Sequence, residues 1–194
     1  MDERLKKQLE FIVEIDKEKQ IGRQTYIADG SRKENDAEHA WHMAVMVMLL
    51  SEYSNEEIDK YKAMSMALIH DIVEIYAGDT YAYDEKGNET KKDREIKAAD
   101  KIFAMLPKEQ AVNIRELWEE FEEGKTPEAK FVNTLDKVQP LLLNDASGGK
   151  SWEEHGIKAE QVINRNKNTA LGSKTLWEVA SSIIEKNKKE NKLR

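Results

Sequence analysis

The sequence predicts an all-α fold, a single helical bundle of about seven or eight helices. Apolar residues recur at the three- and four-residue spacing of a helix along most of the 194-residue chain. Helix-start signals are frequent, and Asn35 with Glu38 and Ser151 with Glu154 both fit the capping-box pattern. No stretch of any length shows the strict alternation of apolar and polar residues that marks a half-buried strand.

The first half of the chain predicts three helices separated by polar segments. Residues 20–34 are interpreted as irregular, because Gly22 and Gly30 interrupt a mostly polar stretch. Gly78 ends the third helix. The predicted helices cover residues 2–19, 35–53 and 60–77.

The second half predicts a long loop followed by five more helices. The loop covers residues 78–90, contains a turn at 84–88, and ends at Thr90, which caps the next helix. Pro140 is expected to kink or end the helix that contains it. The charged tail from Lys186 onward is expected to fray. These helices cover about 91–106, 107–123, 126–140, 151–156 and 173–188.

The composition excludes several kinds of site and partner. With 31 basic and 38 acidic residues the net charge is −7, which disfavours nonspecific binding to nucleic acid. The absence of cysteine excludes disulfides, thiolate zinc sites and cysteine nucleophiles. No apolar run reaches the roughly 18 residues of a membrane span. The amphipathic N-terminus does not resemble a signal peptide, so we expect a cytoplasmic location.

An adjacent His70–Asp71 pair stands in the middle of the apolar helical run at residues 66–77. An ionised group in such a run costs several kcal/mol unless it is paired or binds a metal. Glu74 follows on the same side of the helix, and Asp79 comes directly after the break at Gly78. The segment therefore predicts a metal site that opens at the end of this helix.

Two further polar residues in apolar helical contexts are candidate ligands. His39 lies in the first turn of the second predicted helix, and Asp136 lies in the helix that begins at Thr126. A lone histidine at such a position is more often a core or capping residue than a ligand, and His42 competes with His39 on the same face. The candidates follow the order His, then His-Asp, then Asp.

This order resembles the HD-domain metal-dependent phosphohydrolases over roughly residues 20–145. The resemblance is greatest to the branch that includes the bacterial 5'-deoxynucleotidases and their eukaryotic HD-domain-containing relatives, which Glu74 and the Gly78-Asp79 pair match in residue and spacing. It implies one HD domain over 1–194, with the C-terminal helices 151–188 packed on that core. It also implies that His42 is not a ligand, and that the metal ligands are His39, His70, Asp71 and Asp136.

The predicted ligand set indicates the chemistry of the cofactor. Two imidazole nitrogens and two carboxylates suit a divalent first-row ion, namely Mn, Fe, Co, Ni or Zn. Glu74 is the candidate proton-transfer or water-positioning group, and its alternative role is to hold a ligand histidine in place. The resemblance places Asp79 in the active site as well, either at the sugar or leaving-group end or with Glu74 at a second, weaker Mg²⁺ site.

Two arginines are the predicted substrate-binding residues. Arg23 is the nearest match to the arginine with which the resembled branch holds phosphate, although its spacing to His39 is one residue longer. Gln24 follows it, where the bacterial enzymes have tryptophan, so we expect broad use of nucleoside monophosphates with little or no deoxy preference. Arg94, expected near a helix start, is interpreted either as part of a solvated face or as pointing at an anionic ligand.

The main functional prediction is a metal-dependent phosphomonoesterase that removes the 5'-phosphate of (deoxy)nucleoside monophosphates with a metal-activated water. One alternative is hydrolysis of another phosphate ester or pyrophosphate, including guanosine alarmones. The alarmone hydrolases usually have two consecutive acids after His-Asp, and here Ile75 follows Glu74. A second alternative is a non-catalytic metal and nucleotide sensor. The resemblance also makes a homodimer an expectation.

Overall fold

The structure is a computed structural model that describes residues 2–193, and it is helical almost throughout. The all-α prediction is confirmed. The described part has ten α-helices, because the predicted helix at 60–77 is divided in two and an unpredicted one forms before the last. The helices are α1 (Glu3–Glu14), α2 (Asp36–Leu50), α3 (Lys60–Ile69), α4 (Glu74–Ala77), α5 (Glu85–Phe103), α6 (Lys108–Glu123), α7 (Pro127–Ala146), α8 (Lys150–His155), α9 (Ala159–Asn166) and α10 (Lys174–Lys189).

Several predicted helix starts are confirmed by their hydrogen bonds. The Asn35 side chain accepts from the Glu38 backbone N–H at 2.9 Å, and Glu38 accepts from the Asn35 backbone N–H at 3.2 Å, which completes the capping box of α2. Thr126 caps α7, with Pro127 at its first position, and Ser173 caps α10. These local sequence signals therefore fix where α2, α7 and α10 begin.

Residues 20–34 were predicted to be irregular, and this prediction is wrong. They include a two-stranded antiparallel sheet in which β1 (Gly22–Tyr26) pairs with β2 (Lys33–Asn35), with Gly22 opposite Asn35 and an irregular register between the two ends. Strands of five and three residues are too short for alternation to be visible in the sequence. The hairpin leads directly into α2 and so places β1 beside the first turn of that helix.

The predicted helix at 60–77 is interrupted at the His70–Asp71 pair. After α3 the backbone forms tighter turns, in which the Glu74 N–H donates to the Asp71 carbonyl at 2.8 Å and the Ile72 N–H donates to the Ile69 carbonyl at 3.3 Å. On a regular helix, side chains at neighbouring positions point about 100° apart. The tighter turns change this relationship and bring both side chains to one site.

The predicted turn at 84–88 and the Thr90 cap are wrong. α5 begins at Glu85, and Asp84 caps it by accepting from the Gly87 N–H at 3.1 Å. Gly87 and Asn88 have low helix propensity, so this first turn is not apparent from the sequence. Thr90 and Arg94 consequently lie inside the helix instead of at its start.

Two expected features of the C-terminal helices, a helix end at Pro140 and the Ser151–Glu154 capping box, do not form. α7 continues through Pro140 to Ala146, because buried residues beyond the proline, such as Leu141 and Leu143, keep this end packed and offset the lost hydrogen bond. The Ser151–Glu154 capping box does not form, since α8 begins one residue earlier after Gly149, whose φ of 83° is left-handed.

The tail does not fray within the described residues. α10 continues to Lys189, and Leu193 is buried against the C-terminal helices. Asp145 on α7 accepts hydrogen bonds from Lys186 at 2.8 Å and from Asn187 at 2.7 Å. Contacts between distant parts of the chain therefore hold a segment whose composition alone suggests disorder.

Three hydrophobic clusters surround the site. One joins α2, α3, α6, α7 and α10, a second joins α4, α5 and α6 around Ile102 and Trp118, and a third packs α8, α9 and α10 on Leu141 of α7. The space between them is where the polar side chains of α2, α7 and the α3–α4 turn meet. No helix among residues 2–193 combines the length and the apolar character needed to cross a bilayer.

Candidate metal centre and cavity

The structure brings the four predicted ligands together at the floor of a cavity. His39 comes from the first turn of α2, His70 and Asp71 from the turn after α3, and Asp136 from the middle of α7. His39 is fully buried, and His70 is 3% exposed. Oδ1 of Asp136 lies 3.3 Å from Nε2 of His39 and 4.0 Å from Nε2 of His70. Oδ2 of Asp71 lies 3.1 Å from Nε2 of His70 and 4.0 Å from Nε2 of His39.

These distances fit a shared divalent ion. Ligand atoms about 2.1 Å from one ion lie about 3 Å apart at a right angle and about 4.2 Å apart across the ion. His39, His70 and Asp136 can each offer an atom within 4.8 Å of the others. Nε2 of His70 is buried and makes no hydrogen bond to the described residues, which is the state expected of an atom that binds a metal.

Asp71 connects this site to a second group of acids. It belongs to a second cluster with Asp36 and Glu74, whose oxygens also lie within 4.8 Å of one another. Its Oδ2 accepts from Nη1 of Arg23 at 2.9 Å. The two clusters therefore meet at Asp71, and the whole region carries more acidic than basic groups.

Both candidate histidines have their second ring nitrogen occupied. Nδ1 of His39 lies 3.0 Å from Oε1 of Gln139, and Nδ1 of His70 lies 2.8 Å from the Ala67 carbonyl. Because these oxygens only accept, each Nδ1 carries a proton when the imidazole is neutral, and each Nε2 presents its lone pair to the site. His42 contacts Nε2 of Gln139 at 3.2 Å and is absent from both clusters, in keeping with its predicted role as a non-ligand.

The electrostatics of the site favour a cation. Burial, together with the charge of the neighbouring Arg23, lowers the pKa of His39 to about 4. Burial also opposes charge on His70, but Asp71 and Asp136 outweigh that effect and raise its pKa to about 9. Although burial disfavours ionisation of Asp71 and Asp136, the adjacent histidines hold the pKa of both carboxyls below their usual range. A divalent ion would replace the protons on the histidines as the positive partner of these two carboxylates.

Glu74 lies beside the candidate metal ligands and is 2% exposed. Its Oε2 makes no hydrogen bond to the described residues, and its Oε1 lies 3.7 Å from Nζ of Lys91 on α5. Burial, reinforced by Asp71 and Asp36, raises the pKa of the Glu74 carboxyl well above its usual range. The arrangement provides a proton acceptor or donor next to the ligands.

Asp79 lines the same cavity, directly after Gly78, whose φ of 77° requires a residue without a side chain. Burial raises the pKa of its carboxyl, and the charge of Arg23 opposes that shift. Asp79 thus lines the same cavity as the candidate metal ligands.

Arg23 also lines the cavity, but it is surrounded by acids. Its Nη1 lies 3.3 Å from Asp36 and 2.9 Å from Asp71, and its Nε lies 3.3 Å from Oε1 of Glu34. Three nearby carboxylates offset much of its positive charge. Any phosphate contact by Arg23 therefore competes with these ion pairs.

Arg94 does not line the cavity, which corrects its predicted position. Its guanidinium donates to the carbonyls of Ala77 and Gly87 and, at 2.7 Å, to Oγ1 of Thr80. It therefore ties the end of α4 to the start of α5 and fixes the segment that contains Asp79. These structural bonds occupy Arg94 and leave its predicted substrate contact without support.

Gln24 also lines the cavity. Its Oε1 accepts from Nζ of Lys33 at 2.7 Å and lies 3.2 Å from Nε2 of His155. The His155 ring lies 4.7 Å from the ring of Tyr81. A polar network therefore surrounds the Gln24 side chain.

Sequence reasoning missed several residues of the site. Asp36 lies three positions before His39, and Gln139 three positions after Asp136, so helical spacing could have found both. Arg165 could not have been found this way, because it reaches Asp136 from α9, a helix absent from the prediction. Lys137 is likewise identified only by the cavity that it lines.

The fold and site together define a helical domain with a His/Asp-rich cluster of side chains that could hold a metal ion. A family model described as HD domain matches residues 15–177. The chain belongs to the HD-domain family.

Comparison with known proteins supports this membership. The chain is 32% identical over 135 residues to human 5'-deoxynucleotidase HDDC2, covering 69% of this chain and 65% of the relative. It is 34% identical over 140 residues to the Dictyostelium discoideum protein of that name, covering 69% and 74%. The match thus spans slightly less than two thirds of the human relative's length.

A solved structure is similar over nearly the entire chain. The predicted metal-dependent phosphohydrolase from Magnetospirillum magnetotacticum is 44% identical, with a TM-score of 0.93 and coverage of 98% of this chain and 95% of that protein. A conserved hypothetical protein from Pyrococcus furiosus, 22% identical with a TM-score of 0.64 and coverage of 90% and 98%, shares the fold.

Proposed function

We propose that the protein is a metal-dependent phosphohydrolase that removes the 5'-phosphate of nucleoside monophosphates. The observation that carries the proposal is the convergence of His39, His70, Asp71 and Asp136 at the floor of a cavity. Relatives named 5'-deoxynucleotidase and the structural neighbour named a predicted metal-dependent phosphohydrolase support it.

The proposed cofactor is one divalent ion held by these four side chains. Their mixed nitrogen and oxygen donors suit Mn, Fe, Co, Ni or Zn better than Ca. Such an ion supplies two things when bound: it acidifies a water molecule and it polarises a phosphoryl oxygen. The protein then needs no nucleophilic side chain of its own.

Glu74 is the proposed proton carrier. Its unpartnered Oε2 accepts a proton from the attacking water as the new P–O bond forms. The same oxygen returns the proton to the 5'-oxygen of the leaving nucleoside as the old P–O bond breaks. Lys91, 3.7 Å from Oε1, limits the movement of this carboxyl and stabilises its ionised form.

Asp79 and Arg23 are the proposed contacts at the sugar and phosphate. Asp79 lines the cavity, where its carboxylate can accept a hydrogen bond from a sugar hydroxyl. Arg23 reaches the phosphate from the Asp71 side. A second, weaker Mg²⁺ beside Glu74 is part of the proposal, because Asp36 and Asp71 each offer an oxygen within 4.8 Å of one from Glu74.

One side of the cavity suits a nucleoside. Tyr81, Tyr83 and Trp152 line it, and the Tyr81 and Tyr83 rings meet edge to face at 5.3 Å. Aromatic faces of this kind bind a planar base by stacking. We propose that the base lies against these aromatic side chains while the phosphate reaches the candidate metal ligands.

The test is phosphate release from a panel of ribo- and deoxynucleoside monophosphates, with Mn²⁺, Co²⁺ or Mg²⁺ added to the metal-free protein. Turnover of monophosphates that disappears in His70→Ala supports the proposal. Faster release from pyrophosphates or guanosine alarmones would replace it with the broader phosphohydrolase alternative. Nucleotide binding without any release would indicate a sensor.

Two further expectations stay predictions. A homodimer is expected from the resemblance, and light scattering at several protein concentrations would test it. The cytoplasmic location is expected from the sequence alone.

A further inference from the structure

Four basic side chains line the cavity: Arg23, Lys91, Lys137 and Arg165. Two of them already face carboxylates. Arg23 lies within 3.3 Å of three acids, and Nζ of Lys91 lies 3.7 Å from Glu74 and 3.3 Å from Glu95. Their charge mainly offsets the acids of the site, so a phosphate dianion needs positive charge from elsewhere in the cavity.

Arg165 lies in the last turn of α9 and is only partly engaged. Its Nη2 donates to Oδ2 of Asp136 at 3.2 Å, while Oδ1 of the same carboxylate faces His39. The other guanidinium nitrogens have no protein acceptor among residues 2–193, and the side chain is 40% exposed. A guanidinium has five N–H donors in a planar fork, so it can contact Asp136 and a second oxyanion together.

Lys137 follows Asp136 on α7 and lines the cavity. Among residues 2–193 it has no ion pair with a carboxylate, although its side chain is partly buried. A partly buried cation without an anionic partner is costly, and an anionic ligand would remove that cost.

We propose that Lys137 and Arg165 form a second phosphate-binding arm on the Asp136 side of the site, contacting the non-bridging oxygens of the substrate phosphate. This assignment rests on the proposed function, because it adds a substrate contact to the same site. Arg23 approaches from the Asp71 side, so the phosphate would be held between two basic groups.

The charge balance of the loaded site supports the arm. A divalent ion neutralises the two ligand carboxylates, which leaves little positive charge for a phosphate dianion. An ion bound to Asp136 would also reduce the effective negative charge of this carboxylate, and so would weaken the attraction between Asp136 and Arg165. The guanidinium then becomes available to the phosphate without leaving its position.

The experiment measures the affinity of the Mn²⁺-loaded full chain for inorganic phosphate by calorimetry. Arg165→Gln and Lys137→Gln should each weaken binding about 10-fold or more, as expected for loss of a hydrogen bond to a charged group, with metal content unchanged. The double variant should weaken it further. Lys167→Gln is the matched control, since Lys167 is an exposed cation next to α9 that lies outside the cavity. It should change binding less than 2-fold.

Wild-type phosphate affinity in the metal-loaded double variant would overturn the proposal. Loss of metal from Arg165→Gln, with normal phosphate affinity after reloading, would also overturn it and would limit Arg165 to orienting Asp136. Arg165→Lys and Lys137→Arg keep the charge and should retain most of the binding, which separates loss of the arm from misfolding. Because phosphate binding needs no turnover, weakened binding in a protein that hydrolyses no nucleotide would reject the proposed function and retain the arm.

Discussion

Oε1 of Gln139 lies 3.0 Å from Nδ1 of His39, and both side chains are fully buried. The amide oxygen accepts a hydrogen bond from Nδ1 of His39. The amide nitrogen of Gln139 donates a hydrogen bond to Oε2 of Glu34 at 2.9 Å. Glu34 in turn lies beside Arg23. One buried glutamine therefore fixes the tautomer of a candidate ligand and links it to the arginine on the other side of the site.

Gln139→Leu should lower metal affinity by about 10- to 100-fold, the usual effect of removing the partner that orients a metal-binding histidine. Competition with a coloured chelator measures the change. Thr134→Val is the control, because Thr134 lies on the same helix and donates a buried hydrogen bond to the Thr169 carbonyl away from the site. Equal metal affinity in the wild type and Gln139→Leu would contradict the assigned role.

His70→Ala should lose the metal and the hydrolytic activity together, because Nε2 of His70 is buried beside Asp71 and Asp136. Metal content is measured on the purified protein, and anomalous scattering locates the ion. His42→Ala is the comparison and should keep the metal, since His42 belongs to neither of the two clusters of candidate ligands. The ligand assignment is wrong if the ion occupies another position.

Glu74→Ala should keep the proposed transition-metal ion and lower turnover by about 10²- to 10⁴-fold, the range for general acid–base groups. Glu74→Gln preserves the shape of the side chain and should show a similar loss, because it removes only the ability to exchange a proton. Steady-state kinetics with measured metal content provides the test. Wild-type turnover in both variants would remove Glu74 from the mechanism.

The wild type should use AMP and dAMP with at most a modest deoxy preference, because Gln24 bonds to Lys33 and His155 and presents no ring to the sugar. A tolerant pocket discriminates a hydroxyl only about 10²-fold. Gln24→Trp should raise the ratio of kcat/KM for dAMP over AMP. Gln24→Leu breaks the same hydrogen bonds without adding a ring and should not raise it.

A deoxy preference above about 10³-fold in the wild type exceeds what a tolerant pocket provides. That result would show that other cavity residues, with Asp79 the first to examine, set the choice of sugar.

Glu18 should make the metal-free protein less stable as the pH rises from about 4.5 to 7. Burial, together with the charge of Asp71, raises the pKa of its carboxyl from 4.5 to about 7. Between these values the folded state binds more protons than the unfolded state, so the free energy of unfolding falls as pH rises. Glu18→Gln cannot ionise and avoids this loss.

Denaturant unfolding in the presence of a chelator measures the effect. The stability of Glu18→Gln relative to the wild type should increase by up to about 3 kcal/mol from pH 4.5 to 7 and then level off. A difference that is constant across this range would show that Glu18 does not titrate there.

Local sequence signals were sufficient for much of the fold. The Asn35–Glu38 capping box, the Thr126–Pro127 pair and Ser173 begin helices in the structure where they were predicted to. Each works through hydrogen bonds to the next three residues, so the sequence contains all the information required. The predictions that failed, at Pro140 and in the charged tail, depended on packing by residues distant in sequence.

The sequence alone determined the helical class of the fold and the order of the His and Asp residues, because periodicity and polar residues in apolar runs are local properties. Only the tertiary structure decided how these groups combine. The tight turn after α3 aims His70 and Asp71 at one point, the acids around Arg23 offset its charge, and α9 brings Arg165 to Asp136. Such relationships depend on distances between separate helices, which the packing of the three hydrophobic clusters sets.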